Sequence, residues 1–159
     1  MEANTRSLEA IVEAAVNRYR GSIGPLMPVL HELQEQLSYI PREAVPLLAG
    51  AMSLSRAEIH GVVAFYHDFR SEPPGRHVIH VCRAEACQSM GSGRLEEHIQ
   101  DRLGVTFGET SDDGRYTLEP AYCLGHCACS PSIRVGDSFH ARVSPEKFDA
   151  VLAKLDGED

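Results

Sequence analysis

The sequence predicts an α+β chain, with a small N-terminal helical bundle followed by an α/β domain built on a mixed sheet. Three observations carry this expectation. Apolar residues recur with a helical period up to about residue 70, and strand-like runs take over beyond it. Ser71-Glu72-Pro73-Pro74-Gly75 lies between the two regimes, and two prolines with a glycine stop a helix and suit a linker. Four cysteines fall in two short loops, both on the far side of that linker. The expected division is a bundle over residues 1–70, a linker over 71–75 and a second domain over 76–159.

The elements follow in order. Leu8, Ile11, Val12, Ala15, Val16 and Tyr19 form one helical stripe, which Gly21 and Gly24-Pro25 end. Leu26, Val29, Leu30, Leu33 and Leu37 form a second stripe. Pro41 is expected at the first position of a third helix carrying Val45, Leu48 and Met52. Ser55-Arg56-Ala57-Glu58 fits a capping box ahead of Ile59, Val62, Val63 and Tyr66. These apolar residues are expected to form the core of the bundle.

Past the linker, residues 77–81 read as a strand entering the first cysteine loop. Gly91-Ser92-Gly93 precedes a helix with Leu95, Ile99 and Leu103, and Val105 to Phe107 reads as a short strand. Asp112-Asp113-Gly114 is a turn, and residues 116–122 form a strand into the second cysteine loop. Residues 132–135 and 138–143 flank Gly136-Asp137, a two-residue hairpin signal. Ser144-Pro145 caps a last helix carrying Phe148, Val151, Leu152 and Leu155. The order β-α-β-β-β-α is compatible with a thioredoxin-like sheet covered by helices.

The cysteines are the chemical signal. Cys82 and Cys87 form a C-x4-C pair, Cys123 and Cys127 a C-x3-C pair, with 35 residues between them. Four thiolates suit zinc or an iron–sulfur cluster. Structural zinc usually uses tighter C-x2-C knuckles, whereas longer loops wrap more easily around a two-iron object. Plant-type ferredoxin spacing also begins C-x4-C but continues at once with C-x2-C, which is missing here. Spacing alone favours a 2Fe–2S cluster and leaves zinc, redox-active thiols and core cysteines open. Cys129, two residues past Cys127, reads as a small packed hydrophobe. His80 and His126 flank the cysteines without the C-x-H and C-x-x-H order of Rieske centres, so they are expected beside the site rather than as ligands.

Composition narrows the classes further. The 159 residues carry 15 basic and 23 acidic side chains, a net charge of −8, and no basic cluster, which argues against nucleic acid and anionic membrane surfaces. Residues 1–20 show no basic-then-apolar leader, and the apolar stretch 44–52 is too short to span a bilayer, so a cytoplasmic protein without membrane insertion is expected. There, five cysteines point to metal ligands or catalytic groups rather than disulfides.

The C-x4-C pair, about 35 residues, then Cys123-Leu124-Gly125-His126-Cys127 with Pro131 four residues on, resembles the thioredoxin-like 2Fe–2S ferredoxin family. That family includes the small 2Fe–2S subunit beside the flavin subunit of respiratory NADH dehydrogenase. Gly61-Val62-Val63-Ala64-Phe65-Tyr66 resembles the G-V-x-x-F-Y stretch of that subunit's helical part. His67-Asp68-Phe69-Arg70 and the run Val81 to Gly91 resemble the gamma subunit of soluble NAD-dependent formate dehydrogenase. The resemblance implies one 2Fe–2S cluster, with Cys82 and Cys87 on one iron and Cys123 and Cys127 on the other. It also implies a non-catalytic, electron-transferring subunit with no catalytic residue of its own. The partner implied is a flavin- and NAD-binding diaphorase subunit, and through it a molybdenum- or tungsten-containing catalytic subunit. The chain lacks G-x-G-x-x-G and any P-loop, so FMN and NAD are expected on the partner. Three alternatives stand beside this. They are the equivalent subunit of an NADH:quinone oxidoreductase or NAD-reducing hydrogenase, a free thioredoxin-like ferredoxin, and a zinc-binding structural module.

Overall fold

The computed structural model describes residues 7–157, and the chain divides between Pro73 and Pro74 into two compact units. The first unit is all helix. The stripe beginning at Leu8 forms α1 (Leu8–Arg18), capped by Ser7, whose hydroxyl accepts from the Ala10 N–H at 3.3 Å. The second stripe forms α2 (Leu26–Leu37). Sequence periodicity does not show Glu32, which is buried on α2 and paired with Arg18 of α1 at 3.1 Å.

The third helix differs from expectation. α3 spans Ala44–Met52, so Pro41 lies three residues ahead of it, in a turn where its carbonyl accepts from the Ala44 N–H. Pro46 instead occupies the first turn, where a missing N–H costs no helical hydrogen bond. α4 (Arg56–Phe65) carries the expected capping box. Ser55 Oγ accepts from the Glu58 N–H, and the Glu58 carboxylate accepts from the Ser55 N–H at 2.8 Å. Helices of 9 to 12 residues are marginal alone. Burial holds them: Val12, Val29, Leu30, Leu33, Leu48 and Ile59 are all but fully buried, and each such side chain contributes about 1.5–3 kcal/mol.

The second unit is a four-stranded sheet with helices. It runs β1 (His77–Cys82), α5 (Glu85–Ser89), α6 (Ser92–Leu103), β2 (Tyr116–Ala121), β3 (Ser132–Val135), β4 (Ser138–Ala141) and α7 (Pro145–Asp156). The strand order is β2-β1-β3-β4, with β1 and β2 parallel and the other two pairs antiparallel. The mixed sheet bears out the α+β reading. Parallel pairing of β1 with β2 needs a crossover, which α6 supplies. Ile79, Val81, Leu118 and Ile133 form one core with Leu95 and Ile99 of α6 and Phe148 and Leu152 of α7. His98 and Arg102 of α6 both reach Asp149 of α7 at 3.0 Å. The Gly136-Asp137 hairpin and the Ser144 cap with Pro145 at the helix start are as expected.

Three local features differ from the sequence reading. Residues 105–107 are not a strand. Val105 is buried in the core with Phe107 packed against it, so their alternation reports packing rather than pairing, and Thr110 makes an isolated bridge to Thr117. The first cysteine loop contains a helical turn, α5, which five residues are too short to announce by periodicity. Gly75 is packed rather than free: its N–H donates to Thr117 Oγ1 at 2.6 Å, and a Cβ there would sit 2.9 Å from the Tyr116 nitrogen. Among the described residues, no helix is long and apolar enough to cross a membrane.

Candidate metal centre

Strand direction builds the site. Because β1 and β2 run parallel with Cys82 opposite Ala121, their carboxyl ends lie side by side. Both cysteine loops therefore leave the sheet at the same end, joined at the root by the Arg83 N–H donating to the Ala121 carbonyl at 2.7 Å. Cys82 is the last residue of β1 and Cys87 sits in α5. Cys123 follows β2, and Cys127 opens a short 3-10 turn. β3 returns antiparallel to β1, which brings the residues after that turn back to the first pair.

The two loops bring their thiol pairs into one region. The Cys82 and Cys87 thiols face each other, and so do those of Cys123 and Cys127. Across the loops, the Leu124 N–H points at the Cys82 sulfur, and Cys127 feels both Cys87 and Cys82. The environments of the pairs differ. Cys82 and Cys87 are 2% and 1% exposed, whereas Cys123 and Cys127 are open to solvent. Gly125, at φ +78°, turns its N–H onto the Cys123 sulfur at 3.4 Å. Gly91 is different, since its N–H donates to the Gln88 carbonyl at 3.0 Å.

Protonation reports the same geometry. Burial pushes the Cys82 thiol up, against the pull of the Ala84 N–H. Burial would also raise Cys87, but the Ser130 hydroxyl, the Cys82 thiol and the Ser132 N–H and hydroxyl together hold it below the ordinary thiol value. The adjacent Cys123 sulfur pushes Cys127 up, first as a hydrogen-bond partner and then by charge. Bound metal cations would offset the repulsion between thiolates held this close together. Among the described residues, no three His, Cys, Asp or Glu side chains group tightly enough to hold one metal ion. Two facing pairs, one on each loop, would suit two irons with one pair on each, so the donor set fits a 2Fe–2S cluster.

The flanking residues fall into place. The His126 ring packs on Phe139 of β4 with centroids 4.9 Å apart, and His80 contacts the Arg134 guanidinium at 3.2 Å. Cys129 is half-buried, and its backbone, not its sulfur, makes the hydrogen bonds, to His126 and Arg142. Sequence reasoning missed the supports. Arg83 joins Glu96 of α6 at 3.1 Å and lies over the Phe107 ring, and its carbonyl accepts from the Gln88 side chain at 2.7 Å. Ser130 and Ser132 reach the Cys87 sulfur at 3.4 and 3.8 Å. The Ser-Pro-Ser run after the last cysteine was the available signal.

Comparison with known proteins identifies the family. Residues 12–156 match the thioredoxin-like [2Fe-2S] ferredoxin family. The chain is 33% identical over 141 residues to a subunit of the NADH-quinone oxidoreductase of Rhizobium meliloti, covering 89% of this chain and 84% of that one. It is 32% identical over 131 residues to the HndA subunit of the NADP-reducing hydrogenase of Solidesulfovibrio fructosivorans, covering 82% of this chain and 77% of that one. Among solved structures it is similar to an NAD+-reducing [NiFe]-hydrogenase in the air-oxidized state, with TM-score 0.69 and 25% identity over 84% of this chain. The match spans only 23% of that hydrogenase chain. The sequence, the paired thiols and these likenesses agree that the chain belongs to the thioredoxin-like 2Fe–2S ferredoxin family.

Proposed function

We propose that this chain is the 2Fe–2S electron-transfer subunit of an NAD-linked oxidoreductase complex, exchanging single electrons with a flavin- and NAD-binding partner. The observation that carries the proposal is two thiol pairs placed at the carboxyl ends of parallel strands, with the Leu124 N–H of one loop directed at the Cys82 sulfur of the other. Cys82 and Cys87 would hold one iron, and Cys123 and Cys127 the other. When bound, such a cluster accepts and returns one electron. The chain's own residues supply the rest. The paired thiolates would fix the irons, the buried pair would shield one side from water, and the exposed pair would leave a short path to a partner. No bond to a substrate is made, so no acid or base is required of the chain.

The relatives from Rhizobium meliloti and Solidesulfovibrio fructosivorans are subunits of NADH-quinone oxidoreductase and NADP-reducing hydrogenase, which supports a multi-subunit setting over a free carrier. The similar hydrogenase chain is several times longer than the matched part, which supports a module that works joined to others. For the parent complex we favour soluble NAD-dependent formate dehydrogenase, on the likeness of residues 67–70 and 81–91 to its gamma subunit. A molybdenum or tungsten centre on another chain would then oxidise formate. Purification of the intact complex from its native cells tests both levels. Mass spectrometry should find a flavoprotein and a molybdenum- or tungsten-containing subunit. A nickel–iron subunit or quinone-linked membrane subunits would replace formate dehydrogenase with one of the sister complexes, and a chain recovered alone would replace the subunit with a free ferredoxin.

A further inference from the structure

Two buried hydroxyls single out one of the four sulfurs, and their role rests on the ligand set proposed for the cluster. Ser132 opens β3 and is 1% exposed, and Ser130 is 7% exposed. Ser132 Oγ lies 3.8 Å from Cys87 Sγ, and among the described residues no other group engages that hydroxyl. Ser130 Oγ lies 3.4 Å from Cys87 Sγ and 2.8 Å from the Cys127 carbonyl.

A thiol at Cys87 donates to Ser130. A thiolate ligand has no proton to donate, so the direction must reverse and the hydroxyls must donate to sulfur. A buried hydroxyl without a partner is costly, and Ser132 has only this sulfur to turn to. Ser130 has a choice. A hydrogen bond to an anion is roughly twice as strong as one between neutral groups, so the thiolate draws its proton away from the Cys127 carbonyl. No hydroxyl serves the other pair in this way: among the described residues, the Cys123 sulfur receives the Gly125 N–H. Hydrogen bonds to a ligand sulfur withdraw charge from it and favour the more reduced state of its metal.

We propose that the Ser130 and Ser132 hydroxyls donate to the Cys87 thiolate, raise the cluster's reduction potential, and direct the added electron to the iron on the Cys82–Cys87 side. They act as tuning residues through Cys87 and touch no substrate.

The test uses the full-length, cluster-loaded protein and two readouts. Spectroelectrochemical titration should show a lower potential in Ser132→Ala than in wild type. Ser130→Ala should move it the same way. Ser132→Thr and Ser132→Val fill the same volume, so a higher potential in Thr than in Val isolates the hydroxyl from packing. If neither bulkier variant holds a cluster, the two alanine variants decide. Proton NMR of the reduced protein should place the ferrous temperature dependence on the Cys87 β-protons. Unchanged potentials in both alanine variants, or a ferrous pattern on Cys123 and Cys127, would overturn the proposal while leaving the ligand set intact. A wild-type protein without 2Fe–2S absorbance would overturn the ligand set itself, and the proposal with it.

Discussion

The two cysteine pairs are chemically alike and structurally unlike. Cys82 and Cys87 sit on regular elements, a strand end and a helical turn, and are almost entirely buried. Cys123 and Cys127 sit on an irregular loop and face solvent. The first pair is braced from several sides, by Arg83 with Glu96 and by the two serines. The second has the Gly125 N–H and its own neighbour. The difference separates two tasks that one cluster must combine. On the proposed ligand set, the buried side would fix and insulate the irons, and the open side would keep them within electron-transfer reach of a partner.

The sharpest way to break that comparison is to remove ligands from each side. Replacing Cys82, Cys87, Cys123 or Cys127 by Ser should abolish or sharply destabilise the cluster, because one iron is left short of a ligand and metal binding is coupled to folding. The metal-free proteins should then diverge. Cys82→Ser exchanges a buried thiol for a hydroxyl and should cost about 1–3 kcal/mol in chemical denaturation. Cys123→Ser, at an exposed site, should stay within about 0.5 kcal/mol of wild type. Equal losses from both sides would erase the distinction.

Alkylation of the native metal-free protein draws the same line without mutation. Cys123 and Cys127 should be modified well before Cys82 and Cys87, as read by peptide mass spectrometry. Early modification of Cys87 would mean that the first pair is open. A smaller effect is expected next door: Cys129→Ser should leave the visible spectrum nearly unchanged, since its sulfur engages no described group. Bleaching by this change, with colour retained in Cys127→Ser, would exchange the two as ligands.

The smallest effect lies outside the site, where α6 meets α7. His98 first, then Arg102, holds the Asp149 carboxyl below its ordinary value. A carboxylate depressed on folding contributes stability at pH values above its unfolded pKa of about 3.9, and this is lost as pH falls through the lower folded value. Asp149→Asn should therefore flatten the acid limb of the stability curve below about pH 4. An acid limb identical to wild type would show that the ion pair adds nothing.

Most of the architecture was legible because it rests on local pattern. The helical stripes from Leu8 and Leu26, the Ser55 capping box, the Gly136-Asp137 hairpin and the Ser144-Pro145 start each depend on residues a few positions apart. The errors share a cause too. Pro41 and the Val105–Phe107 run look like local signals, yet Pro46 and core burial of Val105 decided them. Spacing alone put the four cysteines forward but did not divide them into buried and exposed pairs. That division comes from β3 returning to pair beside the end of β1, a contact between residues some fifty positions apart. Ser130 and Ser132 were invisible for the same reason, since their distance to Cys87 exists only once β3 has paired with β1.

The central claim is that these two unlike pairs hold one cluster between them. Iron, zinc and acid-labile sulfide analysis of the anaerobically purified protein, read beside its visible and EPR spectra, tests it most directly. The account predicts two irons and two sulfides per chain, the stoichiometry of the 2Fe–2S family, with a red-brown colour and an EPR signal that appears on one-electron reduction. A colourless protein carrying zinc and no sulfide would contradict it.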